Sequence, residues 1–152
     1  MLQDHSIVKL RHERFVKKVC ETKIVFGLKN NDGFATSSSN EFDDEEGNPV
    51  QLICFWAERA LANSCRKLDW ENYELIELSL EEFIENWCIG LYNDGLSVGT
   101  SFDQNMFGYE AEPLELILEL IKELKSKHIG LELRKYENIE DLEELVKERV
   151  NG

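Results

Sequence analysis

Residues 23–36 read Lys23-Ile24-Val25-Phe26-Gly27-Leu28-Lys29-Asn30-Asn31-Asp32-Gly33-Phe34-Ala35-Thr36, and this stretch decides the fold class. A β-like apolar run from Lys23 to Leu28 is followed by Asn30-Asn31-Asp32-Gly33 and then by a second β-like segment, Gly33 to Thr36. Asp-Gly between two such segments predicts a β-hairpin, because both residues tolerate positive φ. An antiparallel strand pair is therefore expected early in the chain.

Outward from the hairpin, helical and strand patterns alternate. Apolar periodicity predicts helices at about 4–21, 57–68, 80–93, 113–127 and 139–150, and strands at 50–56, 73–78, 96–100 and, at a sheet edge, 130–133. Ser79 and Glu82 form a capping box, and Pro113 suits the first turn of a helix. Hairpins among these elements favour an α+β fold, in which an antiparallel or mixed β-sheet packs against several helices, over a doubly wound parallel sheet.

The side chains within these elements divide into expected inward and outward faces. The inward sets are Ile7, Leu10, Phe15, Val16 and Val19 in the first helix, Ala60, Leu61 and Cys65 in the second, Leu80, Phe83, Ile84, Trp87 and Leu91 in the third, Leu114, Ile117, Leu118, Ile121 and Leu124 in the fourth, and Leu142, Leu145 and Val146 in the last. Residues 37–49, which contain Asp43-Asp44-Glu45-Glu46, offer little to bury and are expected to form an exposed loop.

No internal repeat or low-complexity linker divides the 152 residues. The expected organisation is one α+β domain over residues 1–127 and a C-terminal extension, 128–152, whose short strand and helix pack on the same domain. No apolar run reaches the ~18 residues of a membrane span, and no basic segment followed by an apolar one marks a secretory signal at the start. The expected location is the cytoplasm, without membrane association.

The four cysteines, at positions 20, 54, 65 and 88, form no Cys-x-x-Cys pair, and the three histidines lie far from them in sequence. Zinc and redox motifs need close spacing of that kind, so we expect reduced, structural thiols and no metal or other cofactor. The chain also lacks a Gly-x-Ser-x-Gly elbow, a phosphate-binding loop and a dinucleotide fingerprint. No catalytic residue is predicted, and whether the protein is an enzyme stays open, with a non-catalytic role favoured.

The net charge of −14 is unevenly distributed. Residues 1–29 hold seven Lys or Arg against three Asp or Glu, whereas residues 68–121 hold thirteen Asp or Glu and no Lys or Arg. A field of this sign repels phosphate backbones and attracts basic proteins. The charge distribution therefore argues against a nucleic-acid partner and favours a basic protein. The alternative is that the charge serves only solubility.

From about residue 15 to residue 124 the chain resembles the bacterial "domain of unknown function 2750" family. The resemblance rests on landmarks in order: Val25-Phe26-Gly27-Leu28 with Asp32-Gly33-Phe34-Ala35, Phe55-Trp56 with Arg59 and Ala60, Trp70 with Tyr73, Leu78-Ser79-Leu80-Glu81-Glu82-Phe83, Trp87, Leu91, Asp94-Gly95, Val98-Gly99, Gly108, Glu110, Pro113 and Leu116. Phe102-Asp103 stands where the family has a Trp- or Asn-containing motif after the Val-Gly pair. The resemblance implies a small compact domain and no assigned activity.

The candidate binding residues are Trp70, Arg59, Glu81, Glu85, Asp94, Asp103 and Glu110. Trp70 lies between Asp69 and Glu71 in an expected loop, where it would be partly exposed, as interface tryptophans often are. Arg59 is one helical turn from Trp56 and is expected to stack or pair internally. Glu81 and Glu85 are one turn apart on the face opposite the apolar stripe, so both are expected to point to solvent.

Three functions remain open. The favoured one is a protein-binding module, of an inhibitor or immunity type, that masks a basic partner. The second is an enzyme with an atypical site or a small-molecule sensor, which needs a pocket with convergent polar groups. The third is a self-associating scaffold in which an edge strand or the C-terminal helix forms a homodimer.

Overall fold

A computed structural model describes residues 5–152, so Asp4, the expected start of the first helix, lies outside the described residues. The helices are α1 His5–Thr22, α2 Arg59–Ser64, α3 Leu80–Glu82, α4 Ile89–Asn93, α5 Pro113–Ser126 and α6 Ile139–Asn151. A 3-10 helix spans Leu68–Trp70, and a π-helical segment, Phe83–Cys88, joins α3 to α4 in one continuous helix. Within the described residues no helix is long and apolar enough to cross a membrane.

The strands form one mixed sheet. They are β1 Ile24–Asn30, β2 Gly33–Phe34, β3 Thr36–Asp43, β4 Pro49–Trp56, β5 Glu74–Ser79, β6 Ser97–Thr100 and β7 Tyr109–Ala111. Strand β1 pairs antiparallel with β2, β4 and β5, and β3 pairs antiparallel with β4. Strand β4 pairs in parallel with β6, which pairs antiparallel with β7. The expected α+β class with a mixed sheet and several helices is confirmed.

The hairpin predicted at Asp32-Gly33 is present between β1 and β2. Asn30 pairs with Gly33 across the turn, and the Asn30 side-chain oxygen accepts the Asp32 and Gly33 N–H groups at 2.9 and 3.1 Å. Gly33 has φ +138°, in the region that favours glycine. The second strand is shorter than expected, because the chain leaves the pairing at Ala35 and re-enters the sheet as β3.

The prediction of a loop at residues 37–49 is wrong for most of that range. Residues up to Asp43 form β3, and only the turn at Asp44–Asn48 is irregular, with the Asp44 carboxylate accepting the Glu46 and Asn48 N–H groups at 2.9 and 3.0 Å. Strand β3 is mostly exposed, so its stability comes from backbone pairing with β4. A polar edge strand of this kind gives no hydrophobic alternation to detect.

Two apolar cores lie on the two faces of the sheet, because successive strand residues point to opposite sides. Val25 and Phe55 join the larger core with α1, the helix 80–93, α5 and α6, while Phe26, Cys54 and Trp56 join a smaller core beneath α2. Helix α1 is rotated relative to expectation. Ile7 and Leu10 are exposed, and the buried residues are His12, Phe15, Val16, Val19 and Cys20.

Three further expectations about helices can be compared with the structure. The second helix is shorter than 57–68, and its buried residues are Ala62 and the adjoining Cys65 rather than Ala60. The Ser79 cap is confirmed, since its hydroxyl accepts the Glu82 N–H at 3.0 Å. Helix α5 begins at Pro113 and buries seven residues, among them Leu114, Ile117, Ile121 and Leu124 of the predicted stripe.

The strand expected at 130–133 is wrong, and residues 129–138 run as an irregular segment into α6. Three N–H groups of this segment, those of Glu132, Arg134 and Lys135, donate to glutamate side chains of the helix 80–93 rather than to a strand. The last helix is confirmed, and its Leu142 and Val146 belong to the larger core.

Candidate functional site

A cleft of about 630 Å³ opens between the first turns of α1, the outer part of β3, strand β7 and the start of α5. Its apolar surface includes the rings of Phe42, Phe107 and Tyr109, and Phe42 is 44% exposed. Its size lies within the roughly 300–1,000 Å³ typical of ligand sites. We call this region the acidic cleft, for the residues described next.

Five glutamates line the acidic cleft: Glu41, Glu110, Glu112, Glu115 and Glu119. The last three follow a helical spacing along the start and exposed face of α5, so that one wall of the cleft is a row of carboxylates. Burial raises the pKa of Tyr109, and the charges of Glu119, Glu115 and Glu41 raise it further. Carboxylates from β3 and α5 therefore line the same cleft as this ring. His5 and Lys9 of α1 also line the cleft, and Lys9 brings a positive charge to its rim.

The β3 wall of the cleft is held in place by Glu110 of β7. Its carboxylate accepts the Ser39 hydroxyl in a short hydrogen bond and the Asn40 N–H at 2.9 Å. The pairing of β3 with β4 shifts register between Ser38 and Asp43, which frees this part of β3 to reach β7. Of the seven predicted binding residues, Glu110 is the one that lines the cleft. Its carboxylate is bound mainly to Ser39 and Asn40 of β3.

Behind the carboxylate row lies His12, which is 2% exposed. Its Nδ1 is 2.7 Å from the Thr100 hydroxyl of β6, and its Nε2 is 3.0 and 3.2 Å from the two oxygens of Glu119. The imidazole also stacks on Tyr109 with ring centroids 3.9 Å apart. His12 therefore joins α1, β6, β7 and α5 at one point.

Thr100, His12 and Glu119 combine the residue types of a hydroxyl–imidazole–carboxylate triad, but their geometry does not suit nucleophilic attack. A nucleophile has to reach the substrate, as the activated serine of such a triad does. Thr100 is fully buried, and the exposed member of the set is Glu119, at 43% of its side chain. The network presents a carboxylate to the cleft and keeps the hydroxyl inside the core.

Glu85 does not point to solvent as expected, whereas Glu81 is partly exposed. Glu85 is 4% exposed and accepts the Arg134 N–H at 2.9 and 3.1 Å and the Lys135 N–H at 2.8 Å. Glu81 accepts the Glu132 N–H at 3.3 Å. These bonds, which we call the tail contact, fix residues 132–135 against the helix 80–93. The Glu85 carboxylate is thus engaged by the chain itself, whereas Glu81 contributes a single, more exposed bond to the same segment.

The remaining candidates are scattered. Trp70, expected to be exposed, is 4% exposed and packs edge-on against Trp56 in the smaller core, because the 3-10 helix turns it inward. Arg59 pairs internally as expected, but with Glu77 and the Phe26 ring rather than Trp56. Asp94 is exposed at the end of α4. Asp103 pairs with Arg11 at 3.2 Å and accepts two N–H groups of its own loop.

Most of the cleft was missed by sequence reasoning. The row Glu112, Glu115 and Glu119 carries a detectable signal, the 3- and 4-residue spacing of one helix face. His12 carries one as well, since it lies three and four residues before Phe15 and Val16 on the buried stripe of α1. Nothing local in the sequence brings Glu41 and Phe42 to the same place, because the link between β3 and β7 spans about seventy residues.

The four cysteines are free and buried, and burial raises the thiol pKa of Cys20 to about 12 and raises those of Cys54 and Cys88 as well. Thiols in this condition are poor nucleophiles and poor metal ligands. Among residues 5–152 no group of three His, Cys, Asp or Glu side chains has metal-binding geometry.

The fold and its site define an α+β domain with an acidic cleft at one end of a mixed sheet. The family model described as "Protein of unknown function (DUF2750)" matches residues 12–120, and the chain belongs to this family. The match confirms the resemblance seen at about 15–124, and it includes both His12 and Glu119. No curated protein and no solved structure matches the chain.

Proposed function

We propose that this protein is a non-catalytic binding module, and that its acidic cleft receives cationic side chains of a basic protein partner. The observation that carries the proposal is that Glu41, Glu115 and Glu119 line one cleft together with the ring of Tyr109. Carboxylates beside an accessible aromatic ring can hold a lysine or arginine side chain by ion pairing and by cation–π attraction.

Charge over a wider area supports the same partner. The cation-free stretch, residues 68–121, supplies four of the five cleft glutamates and extends to β5 and the helix 80–93. A basic protein would be drawn toward this side before docking, and its association rate would fall as salt is added. An inhibitor or immunity-type role, in which the module masks a basic surface, fits this electrostatic arrangement.

A small organic cation is the second candidate occupant, and the cleft volume of about 630 Å³ favours it. A free polyamine would use the same carboxylates and rings without needing a protein surface. We also propose a reducing compartment, the cytoplasm, for the protein, because its four buried thiols are unpaired.

The test uses octalysine as a basic probe and measures its affinity by calorimetry at low salt. The double variant Glu112→Gln with Glu115→Gln removes two cleft charges, and a unit charge at about 4 Å in water changes affinity roughly fivefold. We therefore expect at least about tenfold weaker binding, allowing for incomplete additivity. A matched control, Glu144→Gln with Glu148→Gln, removes two exposed charges from α6 and should change affinity less than about twofold.

Equal weakening by both double variants would show diffuse attraction to the net charge and would contradict a cleft site. Spermidine, tested in parallel, separates the two occupants. Spermidine binding that is as tight as octalysine binding, and as sensitive to the cleft variant, would favour the small cation over the basic protein.

A further inference from the structure

We propose that His12 controls the charge of the acidic cleft, so that binding a cation there releases a proton from His12. Neutral His12 leaves the full negative charge of Glu119 for the cation, and protonated His12 neutralises it. The inference rests on the proposed function and adds to it a coupling between pH and affinity. Its basis is the position of the imidazole, buried behind a carboxylate that is itself 43% exposed at the cleft.

Both charge states of His12 fit the same heavy-atom geometry. In the neutral ring the Nε2–H group donates to Glu119 at 3.0 Å, and Nδ1 accepts the Thr100 hydroxyl at 2.7 Å. In the charged ring both nitrogens donate, and the Thr100 oxygen accepts. A threonine hydroxyl can take either role by rotating, since it has one donor and two acceptor positions. The heavy-atom distances around His12 are therefore compatible with both charge states.

Several of the groups packed around His12 also line the cleft, so the charge of His12 affects the cation affinity of the cleft. From α5 it faces Glu119, with Glu115 one turn away, and from β7 it faces Tyr109 and the neighbouring Glu110. From β6 it faces Thr100, which carries no charge.

Arg11, the preceding residue of α1, directs its guanidinium to Asp103 at 3.2 Å and to the Ser101 carbonyl. Glu119, which His12 contacts, lines the cleft, whereas Arg11 and Asp103 are not among the lining residues.

The sign of the coupling follows from linkage. A cation that binds better to unpaired Glu119 must lower the proton affinity of His12 by the same factor that protonation lowers cation affinity. Histidine ordinarily changes charge between about pH 5 and 8, above the range in which glutamates titrate. Cation affinity should therefore rise as pH increases through this interval, by about fivefold for one charge at close range.

The experiment measures octalysine affinity at about pH 5.5 and 8.0, and follows the His12 ring nitrogens by long-range proton–nitrogen NMR at about pH 6.5. All proteins carry His5→Gln, so that the histidine that lines the cleft is absent from every comparison. We expect about fivefold tighter binding at the higher pH, and a shift of the ring nitrogens toward the neutral form when octalysine is added.

Glu119→Gln is the test variant, because it keeps an oxygen that accepts from Nε2–H and removes the charge at an exposed helix position. In it the pH dependence should fall below about twofold, and octalysine should leave the His12 signals unchanged. Unaltered pH dependence in Glu119→Gln, or binding equally tight at both pH values, would overturn the proton coupling alone. No octalysine binding at pH 8.0 would overturn the proposed function with it.

Discussion

The acidic cleft and the tail contact both place glutamates of the cation-free stretch on a helix, yet they differ in what those carboxylates bind. At the tail contact, Glu85 is buried and accepts two backbone N–H groups, those of Arg134 and Lys135, from the chain's own C-terminal segment. In the cleft, Glu112 and Glu115 are exposed and face open space. The same residue type serves folding in one region and is available to a partner in the other.

The difference teaches that local charge density does not identify a binding site. A carboxylate that is satisfied by N–H groups of its own chain has already exchanged water for protein partners, so a ligand would have to displace them. A carboxylate that remains hydrated next to aromatic rings keeps its interaction energy for a ligand. Burial and hydrogen-bond partners therefore separate two glutamate clusters that look alike in the sequence.

The strongest test of this distinction is Glu85→Ala. The substitution leaves the Arg134 and Lys135 N–H groups without their acceptor and removes a bond between the family domain and the tail. We expect a loss of about 2–3 kcal/mol in the free energy of unfolding, measured by urea denaturation. The neighbouring exposed Glu82 supplies the control, and Glu82→Ala should cost less than about 0.5 kcal/mol, because it keeps the backbone N–H that the Ser79 hydroxyl accepts. Similar losses of unfolding free energy in the two variants would show that the hydrogen bonds of Glu85 stabilise the protein no more than an exposed glutamate does.

A second test asks whether the cleft has a rigid framework. A Cβ atom at Gly108 would lie 2.0 Å from a ring carbon of Phe102, which is 2% exposed in the smaller core. Gly108→Ala should therefore force Phe102 to move and destabilise the protein by about 2 kcal/mol in the same assay. Gly130, where an added Cβ meets nothing within 4 Å, is the matched control. If Gly108→Ala is as mild as Gly130→Ala, the loop before β7 is plastic and the cleft is not preformed.

The elements that could be predicted from the sequence are those whose signal lies within a few neighbouring residues. The β1–β2 hairpin, β4 and α5 were predictable, because Asp-Gly, a continuous apolar run and a Pro-initiated periodic stripe each act within a few residues. Strand β3 was not, since its pairing with β4 needs no apolar side chains. The cleft could not be predicted either, because its two walls, β3 and α5, lie far apart in the sequence.

Glu85 shows a different limit. A helix of 3.6 residues per turn places it opposite Phe83 and Ile84, on the solvent side. The π-helical segment Phe83–Cys88 widens the turn and alters this phase, so that Phe83, Ile84, Glu85 and Cys88 are all buried, while Trp87 is half-buried against the same core. Segments of this kind are rare and lack a sequence signature. The wrong prediction that the Glu85 side chain points to solvent therefore results from the geometry of its helix and not from the chemistry of glutamate.

The smallest effect is expected at a second attachment of the C-terminal segment, the ion pair between α6 and α5. Glu143 of α6 binds Lys125 of α5 at 2.7 Å, and this hydrogen bond lowers the Glu143 pKa, with Lys147 contributing. A carboxyl whose folded-state pKa is depressed stabilises the fold above its ordinary pKa and loses that contribution as pH falls through the folded value. Glu143→Gln should thus lower the melting temperature slightly at neutral pH and leave it unchanged in acid, where wild-type Glu143 is itself neutral. Glu144→Gln, on an exposed neighbour, controls for net charge. A Glu143→Gln effect that persists in acid would mean that packing, rather than the ion pair, attaches α6 here, as Leu142 and Val146 do beside it.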